Sequence, residues 1–134
     1  MSDTNKAPHV DMLRSPLGRA RGLGAAHAGS HHWRVQRLTG VALVPLTVWF
    51  VFSVIGHLGA SQADMSTWMS APITMVLMVA MIVATFHHLQ LGLQTVIEDY
   101  VHEDGARLAA MLAMKAACVL LALACIISVL RLGL

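Results

Sequence analysis

Residues 65–97 have the sequence MSTWMSAPITMVLMVAMIVATFHHLQLGLQTVI, which contains no Asp, Glu, Lys or Arg. Residues 38–63 are also free of these four residue types, and residues 116–130 form a third apolar stretch between Lys115 and Arg131. About 20 apolar residues cross a hydrocarbon core of about 30 Å, and flanking basic side chains can extend to its surfaces. The sequence therefore predicts three transmembrane helices at about 34–58, 70–100 and 106–132, of which the second begins with Ser70 as N-cap and the third with Asp104.

The composition supports the same fold class. Apolar residues make up 57% of the 134 residues and charged residues only 12%, whereas soluble domains carry about 25% charged residues. The mean hydropathy is +0.67 and the formal net charge is +2, too small to indicate nucleic-acid binding. We therefore expect an all-α membrane protein and no nucleic-acid partner.

The distribution of positive charge predicts the orientation. Six of the nine basic residues precede the first charge-free stretch: Lys6, Arg14, Arg19, Arg21, Arg34 and Arg37. By the positive-inside rule, residues 1–33 form a cytoplasmic tail and the C-terminus lies on the opposite side of the membrane. An organellar targeting segment is the alternative for the tail, and Asp3 and Asp11 argue against it.

The segment 86–100, FHHLQLGLQTVIEDY, places two histidines far inside the second span. His88 precedes Asp99 by 11 residues, about 16 Å along a helix, which is near the bilayer midplane. This spacing puts His88, Gly92 and Asp99 on one face, and His87 points about 100° away. Two interpretations remain open: His88 hydrogen-bonds to a neighbouring helix, with Gly92 serving helix packing, or His88 is an axial ligand of a haem whose flat ring lies against Gly92.

A haem would need further groups. The second axial ligand would come from a partner protein, because His57 lies near the far end of span one and is a weak candidate. Arg37, with Arg34 one turn earlier, could bind the haem propionates. The alternative role of both arginines is to bind lipid phosphate.

Tyr100 and Asp99 end the second span at the predicted cytoplasmic boundary. The Tyr100 hydroxyl could donate a hydrogen bond to a quinone that reaches it from the bilayer, although tyrosine is also frequent at membrane interfaces without such a role. Asp99 could relay protons, or it could simply solvate the end of the helix.

Several stretches taken together resemble one family, the hydrophobic membrane anchors of succinate dehydrogenase in their alphaproteobacterial form. They are residues 14–22 (RSPLGRARG), 32–33 (HW), 36–39 (QRLT), 90–94 (QLGLQ) and 96–102 (VIEDYVH).

The resemblance implies an anchor without catalytic activity of its own, in the bacterial inner membrane with its C-terminus in the periplasm. It pairs with a second anchor subunit in a six-helix anchor that carries an iron–sulfur subunit and a flavoprotein subunit. A trimer of such heterotetramers is compatible with it. Residue by residue, it implies that His88 ligates a haem b shared with the second anchor, that Arg37 lies near the propionates, and that Asp99 and Tyr100 bind ubiquinone. Because His87 is adjacent, the choice of His88 rests on the spacing.

Two other classes of function remain as alternatives. A three-span metal or ion carrier could use His57, His87, His88 and methionines as ligands, although only the adjacent pair of histidines has ligand spacing. A structural membrane protein without a cofactor would use the histidines as buried hydrogen-bonding groups.

Overall fold

The computed structural model of the chain describes Leu17 and residues 27–133. Most of the predicted tail, including Lys6, Arg14, Arg19 and Arg21, lies outside the described residues. The same holds for the resemblance within 14–22, apart from Leu17, and for the C-terminal Leu134.

Four helices account for most of the described chain: α1 (His27–Gly56), α2 (Gln62–Ser70), α3 (Pro72–Tyr100) and α4 (Asp104–Gly133). Helices α1, α3 and α4 are long and apolar enough to cross a membrane. The prediction of an all-α protein with three spans is therefore confirmed. Helix α1 begins before residue 34 and continues through Pro45 as one helix.

The short helix α2 was not predicted from the sequence. Its N-terminus is a capping box, in which the Ser61 side chain accepts from the Asp64 backbone N–H and the Asp64 carboxylate accepts from the Ser61 backbone N–H. The prediction that Ser70 caps the second span is wrong, because Ser70 ends α2 and its hydroxyl donates to the Thr67 carbonyl. Ala71 is the N-cap residue of α3, and Pro72 follows it in the first turn, where its missing N–H costs little.

The N-terminus of α4 is capped one residue earlier than expected. The Glu103 carboxylate accepts from the backbone N–H groups of Gly105 at 3.1 Å and Ala106 at 2.6 Å. Asp104 instead lies in the first turn and forms an ion pair with Arg107. The adjacent carboxylate therefore has the capping role that the sequence assigned to Asp104.

Helix α3 is the centre of the bundle. It packs against α1 on one side and α4 on the other, and within residues 27–133 helices α1 and α4 do not pack against each other. Helix α2 packs across α3 and α4. We call the end of the bundle with α2 and Gly56 the Asp64 end, and the opposite end, with His32 and Glu103, the Tyr100 end.

Large apolar side chains cover the outside of the bundle. Leu38, Phe52 and Leu120 are among those that are more than half exposed. A bilayer solvates such side chains, and close packing of helices there relies on small residues and a few polar contacts rather than on a hydrophobic core. Polar contacts between the helices are therefore the features most informative about function.

Candidate haem-ligand and quinone sites

His88 is half-buried and faces α1 rather than lipid. Its Nδ1 atom lies 3.0 Å from the Thr39 hydroxyl, and its Nε2 atom lies 3.5 Å from the side-chain nitrogen of Gln36. The ring also packs on Gly40, where a Cβ atom would meet the His88 Cε1 atom at 3.4 Å. His88 therefore has hydrogen-bonding partners in a neighbouring helix, as the first interpretation of the segment expected, and the ligand interpretation stays a prediction.

Two glycines, one on each helix, make this approach of α1 and α3 close. Gly40 leaves room for the His88 ring. Gly92 leaves room for Gln36, because a Cβ atom at Gly92 would meet the Gln36 side-chain nitrogen at 3.6 Å. In this structure the side chain beside Gly92 is thus a flexible amide, in the place where the sequence suggested a flat ring.

His87 is exposed, unlike its neighbour. It lines an apolar groove of about 810 Å³ between α1 and α3, together with Leu38, Thr39, Ala42, Ala80 and Val83. It also lines a more polar cavity of about 380 Å³ towards the Tyr100 end, which includes His31, His32, Gln94 and Glu98. His87 therefore separates an apolar compartment from a polar one, whereas His88 lies against α1.

Two polar atoms on α1 are buried without a hydrogen-bond partner among the described residues. They are the Nε2 atom of His32 and the Oε1 atom of Gln36. The two residues are four apart, so they share one face of α1. Buried polar groups are rarely left unpaired, so this face of α1 is a candidate for contact with a polar group from outside the described chain.

The two arginines predicted to bind propionates are both exposed on the first part of α1. The guanidinium of Arg37 lies 4.3 Å above the centre of the Trp33 ring, a cation–π contact. Arg37 follows Gln36 directly and precedes Thr39 by two residues. Although Arg37 is close in sequence to these neighbours of His88, the cation–π contact directs its guanidinium to Trp33 rather than to His88.

Asp99 and Tyr100 are the last residues of α3, and both are exposed. The Tyr100 side chain is 79% exposed, and its hydroxyl has no hydrogen-bond partner within residues 27–133. Tyr100 follows His88 by 12 residues, which corresponds to about 18 Å along the helix. The residues predicted to bind quinone and the predicted haem ligand are therefore two separate sites on one helix.

The sequence analysis assigned no role to Gln36, Thr39 or Gly40, although the first two lie in a stretch quoted for the resemblance. Their spacing could have identified them. Thr39 follows Gln36 by three residues and Gly40 follows Gln36 by four, so all three lie on one side of an apolar helix. Polar side chains inside a span usually face another helix. What the sequence did not show was that their neighbour is His88.

His57 lies at the Asp64 end. Its Nδ1 atom donates to the Ser53 carbonyl at 2.7 Å, and its ring packs on Trp68 with 4.6 Å between the ring centres. Within the described residues, no three His, Cys, Asp or Glu side chains form a group suited to a metal ion. The structure thus does not bring His57 together with His87 and His88, as a carrier using all three would require.

Comparisons with known proteins agree on one family. The family described as succinate dehydrogenase/fumarate reductase transmembrane subunit matches residues 12–122. The succinate dehydrogenase hydrophobic membrane anchor subunit of Rickettsia bellii is 30% identical over 118 residues, which cover 87% of this chain and 94% of the relative. The protein of the same name from Paracoccus denitrificans is 31% identical over 99 residues, 73% of this chain and 75% of the relative. No solved structure gives a significant match.

Proposed function

Because this chain belongs to the family of succinate dehydrogenase/fumarate reductase transmembrane subunits, we propose that it is the hydrophobic anchor subunit of a succinate:quinone oxidoreductase. The observation that carries this proposal is the match over most of the chain to relatives of that name, combined with three helices long enough to span a membrane. The chain is thus a multi-pass membrane protein that holds the succinate-oxidising subunits at the bilayer.

The proposed partners are a second anchor subunit, an iron–sulfur subunit and a flavoprotein subunit. Their proposed location is the Tyr100 end, on the cytoplasmic side of a bacterial inner membrane. The excess of basic residues before the first charge-free stretch supports this orientation. Succinate oxidation belongs to the partners in this scheme, so the contribution of this chain is anchoring and binding.

The proposed cofactor is a haem b with His88 as one axial ligand, and the described residues fit this role. The Nε2 atom of His88 has one hydrogen-bonding neighbour within residues 27–133, the Gln36 amide at 3.5 Å, which is long for a hydrogen bond. The space at Gly92 is covered by the same flexible side chain. Moving one amide would therefore free both the ligand atom and the surface beside it.

Other groups around His88 support the same assignment. The unpaired Nε2 of His32 and Oε1 of Gln36 lie on α1, one to two turns towards the Tyr100 end. Arg37 and Arg34 are exposed on the same part of α1, where guanidinium groups could pair with propionates. The second axial ligand would come from the partner anchor. A haem bound in this way would supply one-electron redox chemistry and would join the two anchor subunits.

The proposed quinone site lies at Tyr100 and Asp99. The Tyr100 hydroxyl is exposed at the end of α3 and has no protein partner within residues 27–133, so it is free to donate to a quinone oxygen. Reduction of ubiquinone takes up two electrons and two protons, and negative charge develops on its oxygens. A donor already in place stabilises that charge, and the Asp99 carboxylate can relay protons from the aqueous side.

Replacement of Tyr100 by Phe tests the quinone site in the assembled complex. We expect Tyr100→Phe to slow succinate:ubiquinone reductase activity at least about 10-fold, since one hydrogen bond to a developing negative charge is lost. Succinate oxidation by an artificial dye that takes electrons directly from the soluble subunits should be unchanged in the same sample. Equal loss of both activities would show that Tyr100 supports assembly, not quinone reduction.

A further inference from the structure

The Thr39 hydroxyl has more acceptors around it than it has protons. Its Oγ1 atom lies 2.9 Å from the Val35 carbonyl, 3.0 Å from the Gln36 carbonyl and 3.0 Å from the His88 Nδ1 atom. A threonine hydroxyl carries one hydrogen and two lone pairs. Because carbonyl oxygens can only accept, the hydroxyl proton must point towards one or both of them.

This number of acceptors determines which ring nitrogen of His88 carries the hydrogen. If the hydroxyl donated to Nδ1, both carbonyls would face an oxygen lone pair at hydrogen-bonding distance, which is repulsive. With the hydroxyl proton on the carbonyls, the Oγ1 lone pair is free to accept, and Nδ1 must therefore carry the hydrogen. The neutral His88 ring is then protonated at Nδ1 and leaves a lone pair on Nε2.

The neighbour of Nε2 agrees with this assignment. The side-chain nitrogen of Gln36, 3.5 Å away, can only donate, so it faces a nitrogen that accepts. The placement of the Gln36 amide is thus compatible with the tautomer that the Thr39 contacts give.

From these contacts we infer that Thr39 is a positioning residue, which sets the tautomer and orientation of His88 so that Nε2 is presented as the base for the haem iron. This inference rests on the proposed function of His88 as a ligand. Metal-bound histidines generally donate their other ring N–H to an acceptor that fixes the ring and raises its basicity. Here the acceptor is a side chain of α1, whose own orientation is fixed by two backbone carbonyls of the same helix.

The position of Gly40 makes the arrangement rigid. The His88 ring lies against the α1 backbone at Gly40, with 3.4 Å between Cε1 and the position that a Cβ would occupy. The ring is therefore held by a hydrogen bond to Thr39, and the missing side chain of Gly40 leaves the space that its Cε1 edge occupies. Two residues adjacent in sequence, Thr39 and Gly40, therefore position the same imidazole ring.

The test compares three variants at Thr39 in the purified complex. Thr39→Val keeps the shape of the side chain and replaces the hydroxyl by a methyl group. Thr39→Ala removes the hydroxyl without adding that methyl group, and Thr39→Ser keeps the hydroxyl. Loss of the acceptor makes the imidazole a weaker donor, so it stabilises ferric iron less and the haem midpoint potential should rise. Haem transfer to apomyoglobin should become about 10-fold faster in the Val and Ala variants, and Thr39→Ser should resemble the parent.

Thr95→Val is the matched control, because the Thr95 hydroxyl also donates to a carbonyl four residues earlier, Leu91 at 3.3 Å, and has no histidine partner within the described chain. Its potential and its rate of haem transfer should equal those of the parent. If Thr39→Val or Thr39→Ala retains both parental values, the positioning role is wrong while the ligand role stands. If His88→Ala retains the haem, the proposed role of His88 as a ligand fails, which is a separate outcome.

Discussion

His57, at the Asp64 end of the bundle, and His88, midway along α3, differ in where their hydrogen bonds go. His57 donates from Nδ1 to the carbonyl of Ser53 in its own helix and packs on Trp68. His88 makes its contacts with Thr39 and Gln36, side chains of a different helix. A histidine satisfied by its own backbone needs no other group, whereas one held between helices depends on their packing and keeps an adjustable nitrogen. The comparison teaches that the partner of a membrane histidine is more informative than its depth.

The largest expected effect separates these histidines. In the purified complex, His88→Ala should abolish the haem b absorbance, because the axial nitrogen is lost. His57→Ala is the matched control and should retain the full haem content, since its hydrogen bond and ring contact are local. Optical and electron paramagnetic resonance spectra of both variants measure the difference.

His87→Ala tests the choice between neighbours. We expect it to keep the haem signal, because His87 is exposed on the groove and not held by α1. Loss of haem in His87→Ala alone would assign the ligand to the histidine that lines the groove.

A smaller effect is expected at Gly92. The chain alone accommodates Gly92→Ala, since the new methyl group would meet only the Gln36 amide at 3.6 Å. A haem against this face would be overpacked by that methyl group, which costs about 1–3 kcal/mol, equivalent to about 5-fold to 150-fold in haem affinity. The haem-to-protein ratio during apomyoglobin competition measures this loss.

Gly56→Ala is the control for Gly92→Ala, because a Cβ at Gly56 on α1 would have no described side chain or other helix within 4 Å, apart from its chain neighbours. Both substitutions improve helix propensity slightly, so both complexes should assemble. Unchanged haem affinity in Gly92→Ala would mean that the glycine serves only the packing of Gln36.

The smallest expected effect is the pH dependence of the Asp64 carboxyl, which lies near His57. Hydrogen bonds from the Ser61 hydroxyl, then from the Ser61 backbone N–H, and the nearby charge of His57 lower the pKa of Asp64 below 3.8. A carboxyl with a lowered pKa contributes stability that is complete above pH 3.8 and is lost as the pH falls through its folded pKa. The N-terminus of α2 should therefore be insensitive to pH near neutrality and fray in acid.

Hydrogen-exchange protection of α2, corrected for intrinsic exchange, measures this dependence. Asp64→Asn should reduce protection at neutral pH and remove the acid transition. An acid transition that persists in Asp64→Asn would contradict this role of Asp64.

The sequence predicted the three spans because bilayer thickness sets a length that charge-free stretches reveal directly. It missed α2, although Ser61 and Asp64 have the spacing of a capping box, because the segment is short. It misplaced the α4 cap by one residue, since Glu103 and Asp104 are adjacent carboxylates and only the turn geometry selects between them.

The site was predicted in part. Spacing within α3 gave the shared face of His88 and Gly92, because a helix has a fixed period. It could not give Gln36 or Thr39 as neighbours, since helical period says nothing about which face of another helix lies opposite. It also could not show that a long amide would cover Gly92. These features depend on the packing of α1 on α3, which is a property of the pair.

Within residues 27–133, helix α1 packs along α3 and not along α4, and it also contacts α2, because the Trp49 and Trp68 ring centres are 6.4 Å apart. The protein is therefore a two-helix hairpin of α3 and α4 with a third helix laid along one flank. Separating α1 from the hairpin breaks its packing on α3, which contains the His88 ring, and its ring contact with Trp68 of α2. Such a movement would expose the His88 ring at the side of the bundle while the contacts between α3 and α4 stay in place.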